Sequence, residues 1–279
     1  WWIMQRKVME RGVPKSLVML VSGVGAGALV VWSVRSNGGP ALSLSVAGLF
    51  LLHIILDAAI AYGFVSAAAK SDASVAVGVT AFAPVVAIGT GYLLLGEVPG
   101  WLEGIGIGVI MLGTYVLHMS SKMREGWLTP FRAMWKARAS WLIYALFIAL
   151  AGGLIFPITK QLVLATDNLF AVGLSQFLGW GIFWGIWAWY KKDFQQVQRR
   201  KGGLLVGLLV LLAATFAVAN AAQGAAFYFG LAASVGALKR LDGPVTVLLA
   251  WLLLGEGDMR YRLPGTILIA VGAFLIGIG

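Results

Sequence analysis

The chain has 279 residues, of which 60% are hydrophobic and only 11% charged. A soluble domain is about half apolar and about a quarter charged, so this chain lacks the polar surface to cover a globule in water and must be covered by lipid. The net charge of +10 does not signal nucleic-acid binding, because the basic residues sit in short blocks between apolar stretches; with no cysteine, disulfides, thiolate chemistry and cysteine-held metals are excluded.

A helix needs about 20 apolar residues to cross the hydrocarbon of a bilayer. The pattern predicts ten such helices. Of α1 only a stub is expected, ending near Met4, because the chain opens on Trp1 and Gln5, Arg6 and Lys7 follow at once. No layout of basic start, apolar stretch and small-residue cleavage site marks a signal peptide. Then come α2 (Ser16 to Val34), α3 (Leu42 to Ala68), α4 (Ala73 to Leu95) and α5 (Trp101 to Ser120). After a basic linker over 121–139 follow α6 (Ser140 to Leu164), α7 (Leu169 to Tyr190), α8 (Leu204 to Phe229), α9 (Ala232 to Leu254) and α10 (Leu263 to Gly279). No charge separates α8 from α9; the apolar run is too long for one crossing, and a turn is placed near Gly230. The segment Trp127 to Arg138 reads as a basic amphipathic helix on the membrane surface, anchored by Trp127, Phe131 and Trp135.

The chain repeats itself. Leu93-Leu94-Leu95-Gly96-Glu97 recurs as Leu252-Leu253-Leu254-Gly255-Glu256, each after an aromatic residue (Tyr92, Trp251), at an offset of 159. The same offset takes Gly106 to Gly265, Ile110 to Ile269 and Gly113 to Gly272. So α4 and α5 correspond to α9 and α10, and two five-helix units follow. An odd number of crossings per unit inverts the second against the first, a plan that places the substrate site near mid-membrane between repeats. The charges agree. Of the 21 Lys and Arg, 17 fall after α1, α3, α5, α7 or α9, and only Arg35 falls on the opposite side. The Lys- and Arg-rich side is expected to be cytoplasmic.

These residues resemble the EamA-type family of the drug/metabolite transporter superfamily. The resemblance rests on the two Leu-Leu-Leu-Gly-Glu endings, each followed by a glycine-punctuated helix. It rests also on Lys70-Ser71-Asp72-Ala73-Ser74 leading towards Pro84, on Ala237-Leu238-Lys239-Arg240, and on the linker Gly126-Trp127-Leu128-Thr129-Pro130-Phe131-Arg132. Leu241-Asp242-Gly243-Pro244 departs from the family pattern, where small polar and apolar residues are expected. The resemblance implies an all-α polytopic membrane protein of ten helices in two inverted repeats, 1–120 and 140–279. It implies export or exchange of a small metabolite across the cytoplasmic (inner) membrane. The alternative within the superfamily is a lipid-linked sugar flippase subunit. The expected partners are a small-molecule substrate, the lipid bilayer and, as an option, a second copy in a homodimer; neither nucleic acid nor a cofactor is expected.

Ionisable residues within a bilayer are costly unless paired or facing water. Five charged residues within predicted helices are singled out: Asp57, Lys160, Lys239, Arg240 and Asp242. Lys239, Arg240 and Asp242 fall within one turn of α9, just before Gly243-Pro244, where proline removes a backbone donor. The functional reading is a cation pair for an anionic substrate group, with Asp242 as modulator; the structural alternative is snorkelling or neutralisation. His53 and Asp57 are four apart on one face of α3 and form a candidate proton carrier, or else a structural polar contact. Lys160, Asn220 and Gln223 are candidate substrate contacts, with Gln176 beside them, and Pro84 is a second candidate helix break. His118 reads as interfacial, and Trp180 and Trp184 as lipid-facing. The glycine pairs Gly23-Gly27, Gly104-Gly108, Gly181-Gly185 and Gly203-Gly207 read as close-packing faces. No clustered carboxylates, metal ligands or activated nucleophile point to an enzyme.

Overall fold

The computed structural model describes residue 5 and residues 8–70, 83–123, 140–197, 203–254 and 259–279. The expected stub of α1, the expected surface helix of the linker, the passage 71–82 and the second Gly-Glu pair lie outside the described residues, as does the side chain of His118. Among the described residues there are helices and turns and no strand.

The helices follow the apolar runs. They are α2 (Lys15–Asn37), α3 (Leu44–Lys70), α4 (Ala83–Leu95), α5 (Trp101–Met123) and α6 (Ser140–Ala165). Next come α7, in the three segments Asn168–Gln176, Phe177–Ile182 and Phe183–Tyr190, and α8 (Gly203–Ala226). Then follow α9, in the segments Ala232–Leu238, Lys239–Leu241 and Asp242–Leu254, and α10 (Met259–Ile278). The turn expected near Gly230 is present: Phe227, Tyr228 and Phe229 each donate their N–H three residues back. Among the described residues four helices, Lys15–Asn37, Phe147–Ala165, Asn168–Tyr190 and Gly203–Ala226, are long and apolar enough to cross a membrane. Large apolar side chains such as Trp32, Leu93, Val206 and Phe274 point outward, whereas His53 and Asp57 are buried. That is the reverse of a soluble protein and suits a lipid solvent.

The chain forms two compact units, Trp1–Ala58 with Ile158–Phe229 and Ala59–Pro157 with Gly230–Gly279. Each unit therefore takes helices from both halves of the sequence. The first is built on α2 and α7. A Cβ on Gly23 would stand 2.2 Å from the Gly181 amide nitrogen, and one on Gly27 would stand 2.9 Å from the Phe177 ring. Gly173 approaches the backbone of Ala26 and Val30 in the same way. The numbers rise on α2 as they fall on α7, so the two run antiparallel. Both ends of the pair are tied by hydrogen bonds. Ser33 donates to Asp167 at 2.6 Å at one end, and Ser16 donates to Asp193 at the other. Asp167 also caps α7 by accepting the Phe170 N–H at 3.1 Å.

The second unit is built on α5 and α10. A Cβ on Gly106 would meet the Gly272 carbonyl oxygen at 2.7 Å and the Ile276 amide nitrogen at 3.0 Å. A Cβ on Gly265 would meet the Gly113 oxygen at 2.7 Å and the Leu117 nitrogen at 2.6 Å. Gly113 meets the Ile269 nitrogen at 2.7 Å, and Gly272 the Ile110 nitrogen at 2.8 Å. Shifting by 159 turns Gly106, Ile110, Gly113 and Leu117 into Gly265, Ile269, Gly272 and Ile276. Every contact in this set then has its counterpart, and the two helices run antiparallel.

Two sequence expectations are corrected here. A Cβ added to Gly104, Gly108, Gly203 or Gly207 would meet nothing within 4 Å, so these glycines do not serve as packing faces among the described residues. The packing glycines of α5 are Gly106 and Gly113 instead, because these face α10. Trp184 does not face lipid: it is buried beside Phe183 and Trp187. Trp180 is half-buried, with its ring 5.2 Å from that of Phe216.

Candidate functional site

Each unit holds its own group of ionisable residues. In the first unit, α3 places His53 and Asp57 one turn apart. His53 is 2% exposed and Asp57 9% exposed, so both side chains are inside. The His53 Nε2 lies 3.1 Å from the Thr159 hydroxyl on α6. Either atom can donate, because an imidazole offers one N–H and one acceptor. Asp57 lies against α7. A Cβ on Gly179 would stand 2.9 Å from the Asp57 Oδ2, so only glycine leaves the carboxylate its place. Gly179 belongs to Phe177–Ile182, a π-helical segment inside α7. Such segments widen a helix by one residue per turn and recur at functional sites. The result is an imidazole held by a hydroxyl, and an acid one turn away against Gly179, in an apolar interior.

The other candidates of this unit differ in setting. Lys160 follows Thr159 directly and is half-buried. Asn220 donates to the Phe216 carbonyl at 2.9 Å within its own helix. Gln223 and Gln176 are half-buried. A polar knot that was not expected from the sequence joins α6, α7 and α8. Asn168 donates its side-chain amide to the Ala221 carbonyl at 2.8 Å and its N–H to the Tyr228 hydroxyl at 3.1 Å, and Gly224 leaves room for it.

In the second unit, Lys239, Arg240 and Leu241 form one 3-10 turn between two α-helical segments of α9. The sequence gives the reason. Pro244 has no N–H for the carbonyl of Arg240, and its ring crowds that turn. Gly243-Pro244 therefore tightens α9 and leaves it continuous, with Asp242 opening the next segment. Lys239 is exposed, and its ammonium lies 6.0 Å from the centre of the Phe156 ring. Phe156 in turn lies flush against Gly236, where a Cβ would stand 2.9 Å from the ring. Arg240 is half-buried and Asp242 exposed. Pro84 is buried beside the start of the described part of α4.

Pro157, inside α6, has an accommodation the sequence did not suggest. It leaves the Gly153 carbonyl without its helical donor, and the Thr90 hydroxyl of α4 donates there at 2.9 Å.

Helices long and apolar enough to cross a bilayer, with large apolar side chains outward and His53 and Asp57 inside, make this an integral membrane protein. Residues 1–119 match the model of the EamA-like transporter family. No curated protein matches the chain. Among solved structures 24 chains match. One, titled only as the crystal structure of a protein, covers 95% of this chain and 88% of its own at 14% identity and a TM-score of 0.68. That likeness shows the fold alone.

Proposed function

We propose that the protein is a secondary carrier that moves a small metabolite across the cytoplasmic membrane by alternating access. The observation that carries this reading is the burial of His53 and Asp57 in an apolar unit, at 2% and 9% exposure. Groups of this kind are retained in membrane helices for transport or proton movement. His53 and Asp57 carry the coupling proton, since imidazole changes charge near neutral pH. Lys239 and Arg240 contact an anionic group of the substrate, and Asp242 moderates their charge. Lys160, Asn220 and Gln223 add polar contacts. The two repeats are inverted, a reading supported by the antiparallel α5–α10 pair and its reciprocal glycine contacts.

Uptake into proteoliposomes tests the coupling. Wild-type transport changes between pH 6 and 8, and His53→Gln and Asp57→Asn flatten the profile. A flat wild-type profile rejects the proton role. Lys239→Gln and Arg240→Gln each lower uptake about tenfold or more, the scale of a lost charge-assisted bond, while membrane insertion stays normal. Wild-type rates in both variants reject the substrate role. Turnover confined to a lipid-linked sugar replaces the carrier reading with that of a flippase.

A further inference from the structure

The Leu-Leu-Leu-Gly-Glu ending of α4 does more than close a helix. Gly96 takes φ +68, a left-handed conformation that glycine adopts without strain. Its N–H donates to the Tyr92 carbonyl at 2.9 Å, and the Glu97 N–H donates to the Gly91 carbonyl at 3.2 Å. The chain thus leaves the helix axis at Glu97. The Glu97 Oε2 then accepts the backbone N–H of Ala232, the first residue of α9, at 2.7 Å. Glu103 reaches the same helix. Its Oε2 accepts the Gly100 N–H at 3.0 Å, as a third-position glutamate does at the start of its own helix. Its Oε1 accepts the Ser234 hydroxyl at 3.0 Å. All these residues lie in the second unit.

Helix α9 needs this help. The first four N–H groups of a helix have no partner inside it. The residue before α9 is Leu231, which makes no side-chain cap. Glu97, in the α4–α5 turn, accepts one of these N–H groups, and a carboxylate accepting from N–H at a helix start is the strong kind of hydrogen bond; Glu103, in the first turn of α5, adds the bond to the Ser234 hydroxyl.

We infer that Glu97 and Glu103 are positioning residues, a two-carboxylate clamp that fixes the first turn of α9 and thereby the placement of Lys239 and Arg240. Ala232–Leu238 is an unbroken helix running straight into the turn that carries both cations. A shift at its start is passed along it. The last step rests on the proposed function of those cations, whereas the clamp rests on its own bonds.

The absence of cysteine gives a clean test. Ala233 is 3% exposed and Ala87 is fully buried. A protein carrying only Ala233→Cys resists a membrane-impermeant maleimide. Adding Glu97→Ala or Glu103→Ala raises its labelling rate about tenfold, the opening expected when one charge-assisted bond is lost. Glu97→Gln keeps a carbonyl acceptor and restores most of the protection. Ala87→Cys stays protected in the same backgrounds, which separates a local opening from unfolding. If Glu97→Ala exposes Ala87→Cys as well, Glu103→Ala decides by the same reading, because it leaves the Glu97 bond in place. Unchanged labelling in both alanine variants overturns the clamp. Uptake is measured on the same proteins. It falls with Glu97→Ala and recovers with Glu97→Gln; raised labelling with wild-type uptake overturns the link to Lys239 and Arg240 but leaves the clamp and the carrier reading standing.

Discussion

Single side chains in this protein repair what the backbone cannot. Thr90 is the clearest case. Pro157 deprives the Gly153 carbonyl of its donor, and there is no water inside the bilayer to replace it. The Thr90 hydroxyl of another helix lies 2.9 Å away and supplies it, sharing its one proton with the Val86 carbonyl of its own turn at 3.0 Å. Thr90→Val keeps the shape and removes the donor. It should cost about 1–3 kcal/mol, the penalty for an unsatisfied buried polar group, read as a lower unfolding temperature in detergent, while Thr90→Ser stays close to wild type. An unchanged midpoint for the valine variant would show that the carbonyl is satisfied otherwise. The sequence offered Pro157 but no hint of Thr90, because a threonine in a helix most often bonds its own preceding turn. His53 and Asp57 were legible for the opposite reason: an ionisable residue in an apolar run stands out by cost alone. Thr159, the hydroxyl partner of His53, comes from 106 residues away, and no local pattern points to it.

At the scale of the helix, glycine position decides packing more than glycine spacing does. The sequence offered four pairs spaced four apart. Only those of α2 and α7 meet a neighbour, Gly23 and Gly181 backbone to backbone and Gly27 and Gly185 against the Phe177 and Leu20 side chains, while among the described residues nothing lies near Gly104, Gly108, Gly203 or Gly207. A small-xxx-small spacing marks one face of a helix without saying whether a partner lies there. The repeat was the better guide, because Gly106 and Gly113 recur as Gly265 and Gly272 and all four are at the contact. Gly106→Ala and Gly272→Ala each place a carbon under 3 Å from backbone atoms of the facing helix. Each should destabilise the protein by about 1–3 kcal/mol, the usual cost of overpacking. Gly104→Ala and Gly108→Ala should be neutral or slightly stabilising, since alanine is the better helix former. Thermal melts of the four variants separate the two classes, and equal melts in all four would show that α5 and α10 do not pack this closely. The π-helical segment of α7 had no sequence signature at all. It becomes intelligible only once Gly179 is seen against the Asp57 carboxylate and Gly181 against Gly23.

For the whole molecule, sequence patterning and packing divide the chain differently. The repeat splits it near the linker, yet each compact unit takes helices from both sides of that split. Helices α3 and α6 pass from one unit into the other, with the changes at Ala58 to Ala59 and at Pro157 to Ile158. Apolar periodicity could locate these helices but not their partners, since lipid and protein interiors are equally apolar. Charge carries the information that hydropathy lacks, namely which end of each helix faces the cytoplasm. Val98 follows α4 and is 70% exposed; Phe194 follows α7 and is 42% exposed, beside Lys191 and Lys192. The proposed topology has three crossings, α5, α6 and α7, between them, and so predicts that the two positions fall on opposite sides of the membrane. The chain has no cysteine of its own, and single substitutions report side directly. Val98→Cys should react with a membrane-impermeant maleimide in intact cells, and Phe194→Cys only after permeabilisation. The reverse result would overturn the charge argument. Reaction of both in intact cells would overturn the count of three crossings, and with it the inversion on which the two-repeat carrier depends.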